Sequence, residues 1–178
     1  MPRADEGGTN AFVAVGSNIE PLTNIPAALR FLMGQVEVTG TSTFYRTQPL
    51  GRANQPVFVN GVWRISTTLE PHALKYIVLR QLEEALGRVR TEDRYADRTI
   101  DLDLVLYGDV VSDEPGLVLP DPDILQRPFL AVALVELEPE LAVGGTHLRL
   151  ADMPVSRMRD GMEPLHELTE ALRRMVAR

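Results

Sequence analysis

A chain of 178 residues and 19.8 kDa, 44% hydrophobic and 24% charged, has the composition of one globular domain and excludes a disordered or collagen-like chain. With 0 cysteines it has no disulfide, no thiolate nucleophile and no cysteine-ligated metal, and His72, His147 and His166 are too scattered for a zinc site. The net charge of -7, the lack of an apolar run near the roughly 18 residues of a membrane helix, and the polar start MPRADEGGTN argue against nucleic acid, membrane and export, so a cytoplasmic location is expected.

Residues 1–9 read as a flexible N-terminus and 10–178 as a single domain. The apolar run 11–15, ended by Gly16, Ser17 and Asn18, predicts a central strand buried on both faces and running into a turn. Thr23 and Asn24 are candidate caps for a helix in which Ile25, Ala28, Leu29, Leu32 and Met33 recur until Gly34. Residues 36–47, rich in Val, Thr, Phe and Tyr, predict a strand, followed by a Pro/Gly/Asn loop over 48–56. Over 57–69 a period of two puts Val57, Val59, Trp63, Ile65 and Leu69 on a core face and Phe58, Asn60 and Val62 on the other. Pro71 opens a helix with a stripe of Leu74, Ile77, Val78, Leu82, Ala85 and Leu86, and Gly87 ends it.

A charged stretch, RVRTEDRYADR at 88–98, then feeds a strand pattern over 99–107 closed by Gly108. A helix-like stretch over 125–137 and a terminal helix over about 164–177, carrying Leu165, Leu168, Leu172 and Val176, complete the chain. In the middle the order is strand, helix, strand, strand, helix, strand. This predicts an α+β fold, a ferredoxin-like split βαβ sandwich with an antiparallel sheet and helices packed on one face.

Asp101 and Asp103 are two apart on a strand, so both carboxylates leave the same face, roughly 6 to 7 Å apart, while Leu102, Leu104 and Leu106 face the other way. Two hard oxygen donors at that spacing suit one or two Mg²⁺ ions whose other positions go to water and phosphate. Arg88, Arg90, Arg94 and Arg98 fall within eleven residues directly before this pair, and guanidinium forks match phosphate oxygens. Lys75 is the only lysine among the 18 basic residues, so the choice of arginine is compositional and the clustering is the signal. Phe58 and Asn60 offer an aromatic plane beside a side-chain amide, which suits a flat heterocycle read at its edge. Gly16, Ser17 and Asn18 are too short for a phosphate loop and read as a turn.

Taken together, GSN at 16–18, FYRTQPLG at 44–51, QPVFVN at 55–60, Glu83 with LGRVR at 86–90, RYADRTIDLDLVLYG at 94–108 and RPF at 127–129 resemble the 6-hydroxymethyl-7,8-dihydropterin pyrophosphokinase family over about 11–137. The resemblance implies transfer of pyrophosphate from ATP to the pterin hydroxymethyl group in folate biosynthesis, with AMP as the other product. It also implies ATP as co-substrate, two Mg²⁺ ions on Asp101 and Asp103, and a catalytic set of Arg94, Arg98, Asp101 and Asp103. Thr47, Pro49, Leu50, Phe58, Asn60 and Phe129 are implied on the pterin side. Glu83, Arg88, Arg90, Arg94, Arg98 and Arg127 are implied on the ATP side, Tyr95 stands where an aromatic is usual, and 48–56 and 88–99 would act as lids.

Many members have a His directly after the proline that stands at 120 here. This chain has Asp121, which repels phosphate unless it faces away or meets a metal, and Gly116 and Val118 lack polar side chains that some members place around the nucleotide. The alternative is therefore a diverged pterin- or nucleotide-binding relative without transfer. A ferredoxin-like RNA-binding module is disfavoured by the acidic balance. The expected partners are the two small substrates, with no nucleic acid or membrane, and the chain is expected to be a monomer or weak dimer, its terminal helix packed on its own domain.

Overall fold

The apolar run near the N-terminus forms β1 (Thr9–Ser17), whose alternate side chains serve both faces of one sheet. In the computed structural model, which describes residues 7–48, 54–143 and 146–178, Ala11, Val13 and Val15 enter one buried layer and Phe12 enters another. The loose terminus expected at 1–9 lies outside the described residues up to position 6, and Thr9 is already paired, opposite Thr67.

α1 (Pro21–Met33) starts ahead of the expected caps. Pro21 presets the first helical turn, and Asn24 Nδ2 donates to Ile19 O (2.7 Å) instead of capping. Ile25, Ala28, Leu29 and Leu32 are fully buried, whereas Met33 is exposed. The single strand expected over 36–47 is divided into β2 (Glu37–Thr41) and β3 (Tyr45–Thr47), because the chain turns at 42–44 to bury Phe44 and to donate Ser42 N to Val62 O. Both pair with β4 (Phe58–Thr67), which also pairs antiparallel with β1 along its length.

The helix opened by Pro71 has three parts: α2 (Pro71–Ala73), a π segment Leu74–Leu79, and α3 (Arg80–Ala85). A π turn accommodates one more residue than an α turn, so the apolar stripe slips. Leu79 is 1% exposed and Ile77 54%, the reverse of the regular-helix expectation, and Ala85 is exposed as well. Gly87, at φ 79, supplies the left-handed residue that ends the helix.

β5 (Asp101–Tyr107) pairs with β1. The register shifts opposite Phe12 and Val13, so Leu102 and Leu104 face one layer while Val105 and Leu106 both join the other. Leu106 therefore does not share a face with Leu102 and Leu104 as the alternation predicts. The hairpin of β6 (Ser112–Glu114) and β7 (Leu117–Leu119) leads through a 3-10 turn, Pro122–Leu125, to α4 (Pro128–Leu137). β8 (Met162–Pro164) and α5 (His166–Val176) finish the chain. The sheet order is β5-β1-β4-β3-β8, with β2 also on β4.

Helices cover both faces of this sheet, which corrects the one-face expectation. α1, the π segment, α3 and α5 bury Leu29, Leu79, Leu82 and Leu172 against Val13, Trp63 and Ile65. α4 packs Leu130, Ala131, Ala133 and Leu134 on the opposite side, against Phe12, Val62, Val105 and Leu106. Its sequence, PFLAVALVEL, is apolar almost all round, so it needs a buried position rather than a single stripe. Among the described residues no helix is long and apolar enough to cross a membrane.

Candidate active site

The sheet face under α4 is filled by apolar side chains at one end and left open at the other. Its strand register decides what the open end displays. Gly16 of β1 lies opposite Asn60 of β4 on one side and opposite Asp101 of β5 on the other. One row across the sheet thus reads Asn60, Gly16, Asp101, and Asp103 stands opposite Ala14 two residues along. Small residues on the middle strand leave the floor low: a Cβ at Gly16 would lie 2.8 Å from Asn60 Oδ1. The resulting cleft, about 560 Å³, takes in Thr47, Phe58 and Asn60 on one side and Asp101 and Asp103 on the other. Arg94, Tyr95 and Arg98 come from the charged loop, and Arg127 and Phe129 from the start of α4.

The charged loop is held by the residues that precede it across the sheet. Asn18, buried at the end of β1, accepts from Arg98 N through Oδ1 (2.6 Å) and donates through Nδ2 to Asp97 Oδ1 (2.9 Å). Ser17 Oγ donates to Thr99 O (2.6 Å), and Asn18 N and Ile19 N both donate to Arg98 O (3.1 Å each). Gln55 Nε2 reaches Tyr95 O and Asp97 Oδ1, joining the loop before β4 to the arginine loop. Within the loop, Arg98 Nη2 donates to Arg94 O, and the Arg94 guanidinium lies 5.0 Å from the Tyr95 ring centroid.

The acids are paired with cations. Asp101 takes Arg98 Nη1 on Oδ2 (2.5 Å) and Arg88 Nη1 on Oδ1 (3.2 Å), and Asp103 Oδ1 is 2.8 Å from Lys75 Nζ. Arg88, 9% exposed, also donates to Ile100 O (2.9 Å), so it braces the start of β5 from below. Glu83 is 1% exposed, accepts from Leu102 N (2.9 Å) and pairs with Arg90. Burial pushes its carboxyl above the usual range, opposed by the Leu102 hydrogen bond. Asp121 faces the cleft but turns Oδ1 to cap the 3-10 turn, accepting from Asp123 N (2.8 Å). Burial raises its carboxyl too, with Asp103 and Asp123 adding to the rise.

The profile of the 7,8-dihydro-6-hydroxymethylpterin-pyrophosphokinase family matches residues 12–139. The chain belongs to this family. It is 36% identical over 142 residues to the 2-amino-4-hydroxy-6-hydroxymethyldihydropteridine pyrophosphokinase of Haemophilus influenzae, covering 78% of this chain and 87% of that protein. It is 40% identical over 147 residues to the enzyme of the same name from Methylorubrum extorquens, covering 80% and 91%. Among solved structures, wild-type HPPK-DHPS of Plasmodium falciparum superposes with a TM-score of 0.67 at 13% identity. That alignment covers 88% of this chain but only 45% of the longer one, and at this identity it speaks for the fold alone. A mixed helix and antiparallel-sheet architecture with helices packed on the sheet is thus shared. Pyrophosphate transfer in folate biosynthesis is the activity that family membership supports, and the reading as a binding relative without transfer is not favoured.

Within this pyrophosphokinase frame the expected residues separate into two groups. Thr47, Phe58, Asn60, Arg94, Arg98, Asp101, Asp103, Arg127 and Phe129 meet around the cleft. Glu83 and Arg90 stand behind β5 and face its backbone or one another, and Arg88 joins the groups by reaching both Ile100 O and Asp101. Pro49 and Leu50 lie outside the described residues. Three contributions were not read from the sequence: the clasp formed by Ser17 and Asn18, the Gln55 link, and Lys75 against Asp103. The clasp joins residues about eighty positions apart, so no local pattern reveals it.

The donor set suits Mg²⁺: two carboxylates on one face of a paired strand, beside the guanidinium groups of the charged loop. Among the described residues no group of three or more acidic or histidine side chains could hold a metal alone, so the pair needs oxygens from a phosphate or water.

Proposed function

We propose that the cleft binds ATP with Mg²⁺ beside 6-hydroxymethyl-7,8-dihydropterin and joins them across the row Asn60, Gly16, Asp101. That row is the observation that carries the reading: the amide that would read a heterocycle edge and the acid that would hold metal-bound phosphate flank one glycine. Phe58 and Phe129 supply rings for the two faces of the pterin, and Asn60, oriented by donating to Thr47 Oγ1 (2.6 Å), reads its edge.

Asp101 and Asp103 would hold two Mg²⁺ ions, which when bound would offset phosphate charge and acidify the substrate hydroxyl. The pterin oxygen attacks the β-phosphorus in line, forming a new O–P bond as the bridge to the α-phosphate breaks and AMP leaves; the hydroxyl proton passes to Asp103 and from there to solvent when the products leave. Arg94 and Arg98 neutralise charge on the moving group, and Arg127, with Arg88 and Arg90 behind, completes the ATP side. Glu83 acts on that side by fixing Leu102 N, hence the position of β5 between the two aspartates. Asp121 meets the phosphates less directly than its position implies, because one oxygen is occupied at the 3-10 turn. The loop 88–99 closes over the ligands, excluding water; most of the other expected lid, 49–53, lies outside the described residues.

We read the sheet order as the ferredoxin-like split βαβ arrangement extended by β8, in a single domain that works as a cytoplasmic monomer or weak dimer without nucleic acid or membrane. The test is AMP release from ATP, Mg²⁺ and hydroxymethyl-dihydropterin. Asp103→Ala is expected to lower turnover by at least about a thousandfold with an unchanged circular-dichroism spectrum. Near-normal turnover in that variant refutes the metal assignment, and pterin and ATP binding without AMP in the unmodified protein refutes the transfer.

A further inference from the structure

Lys75 has no part in the roles assigned above. It is the second residue of the π segment, whose extra residue lets Leu74, Val78 and Leu79 stay in the core while Lys75 reaches the strand that bears the acids. Its Nζ lies 2.8 Å from Asp103 Oδ1, an enclosed oxygen with no other hydrogen-bond partner among the described residues, and its side chain is only 21% exposed. The same ammonium favours the charged form of Asp121. Asp101 has its own pair of guanidinium groups. Both acids of the strand are therefore already matched by cations belonging to the chain. A dication arriving alone must displace one of them or settle on the Asp103 oxygen that Lys75 leaves open, and either way it lies next to a positive charge. A dication arriving with a triphosphate brings anionic oxygens to which the displaced cation can turn.

We propose that Lys75 is a positioning residue that holds the enclosed oxygen of Asp103 and keeps a positive charge beside the oxygen it leaves open, so that divalent cation is taken up together with the nucleotide phosphates rather than before them. The proposal rests on the metal assignment to Asp101 and Asp103. It extends that assignment to the order of loading, a property that the acid pair alone does not set.

The probe is Mn²⁺, followed through the electron-spin-resonance signal of the free ion, with the folded full chain and no substrate. Lys75→Met is expected to bind Mn²⁺ without nucleotide at least about fivefold more tightly than the unmodified protein, and Lys75→Arg, which keeps the charge, to bind it as weakly. In the presence of an ATP analogue with a carbon bridge between the α- and β-phosphorus, the gap between Lys75→Met and the unmodified protein should shrink to less than about twofold. Where Lys75→Met is less stable, its melting temperature should rise with added Mn²⁺ by more than that of the unmodified protein; an equal or smaller rise counts against the role. Nucleotide-free Mn²⁺ affinity that does not increase in Lys75→Met overturns the proposal. Asp103→Asn separates the two levels. If it weakens Mn²⁺ binding with the analogue, the metal assignment stands even when the Lys75 role fails; if it does not, the assignment itself falls.

Discussion

Asn18 ties down the charged loop through both ends of its side chain: its carbonyl oxygen takes Arg98 N and its amide nitrogen gives to Asp97, with a longer contact to Pro56 O (3.5 Å). Both groups are buried, so removing the side chain leaves Arg98 N without its acceptor and frees the segment that carries Arg94 and Arg98. Asn18→Ala is expected to lose about 1 to 3 kcal/mol of stability and about tenfold or more in kcat/KM. Limited trypsin digestion should cut at Arg90 or Arg94 markedly faster, and unchanged cutting would show that the loop is held by other means. Ser17 and Asn18 look like a turn because three residues of sequence carry no sign of partners eighty positions away. The acids and the pterin-side residues are different. Phe58 and Asn60 share a strand face, as do Asp101 and Asp103, and the period of two alone places each pair. Gly16 sits between those pairs, and its importance emerges only with the strand register.

At the level of elements, the strands read more faithfully than the helices. β4 and the first part of β5 follow their alternation residue by residue, whereas Leu106 departs from it at a bulge, which depends on the pairing with β1. The turn at 42–44 divides an otherwise continuous β-forming stretch because Phe44 must reach the core beside Trp63, 6.2 Å away between ring centroids. The π segment moves Leu79 inward and Ile77 outward, a shift that a 3.6-residue period does not anticipate.

α3 also delivers Glu83 to β5, and this contact has a pH signature. The folded carboxyl titrates above its ordinary value of 4.5, so the folded state holds the proton more tightly than the unfolded chain. Its contribution is fully present below about pH 4.5 and declines as pH rises through the raised folded value. Glu83→Gln keeps an acceptor for Leu102 N but does not titrate. Its urea midpoint, plotted against pH, should therefore lack the fall that the unmodified protein shows above pH 4.5; parallel curves would mean that another group sets the slope.

For the whole molecule, the family match ends at residue 139 while the structural core does not. Leu168 and Leu172 of α5 are buried in the layer that holds Trp63, and burial of each contributes roughly 2 kcal/mol. Thr169 Oγ1 accepts from Phe44 N (3.0 Å), and Leu165 N donates to Phe44 O (2.8 Å), so the end of the chain satisfies both backbone groups of a core residue. On the far side of the same joint, Glu136 of α4 takes Thr43 N (3.0 Å) and Arg173 (2.7 Å), tying α5 to the helix on the opposite sheet face. A chain ending at 139 is expected to lose more than about 5 kcal/mol, most of the stability of a typical domain, and to show no cooperative melting transition by calorimetry. A cooperative transition within a few degrees of the full chain would show residues 140–178 to be accessory.

β8 also closes the sheet along β3, pairing Tyr45, Arg46 and Thr47 with Pro164, Glu163 and Met162. Pro164 presents no amide hydrogen, and Glu163 places a charge on the rim, so the border that a neighbouring molecule could zip onto is short and poorly receptive. Shortened chains would leave β3 bare, and their fate would be fibre-like self-association through that open seam rather than quiet unfolding.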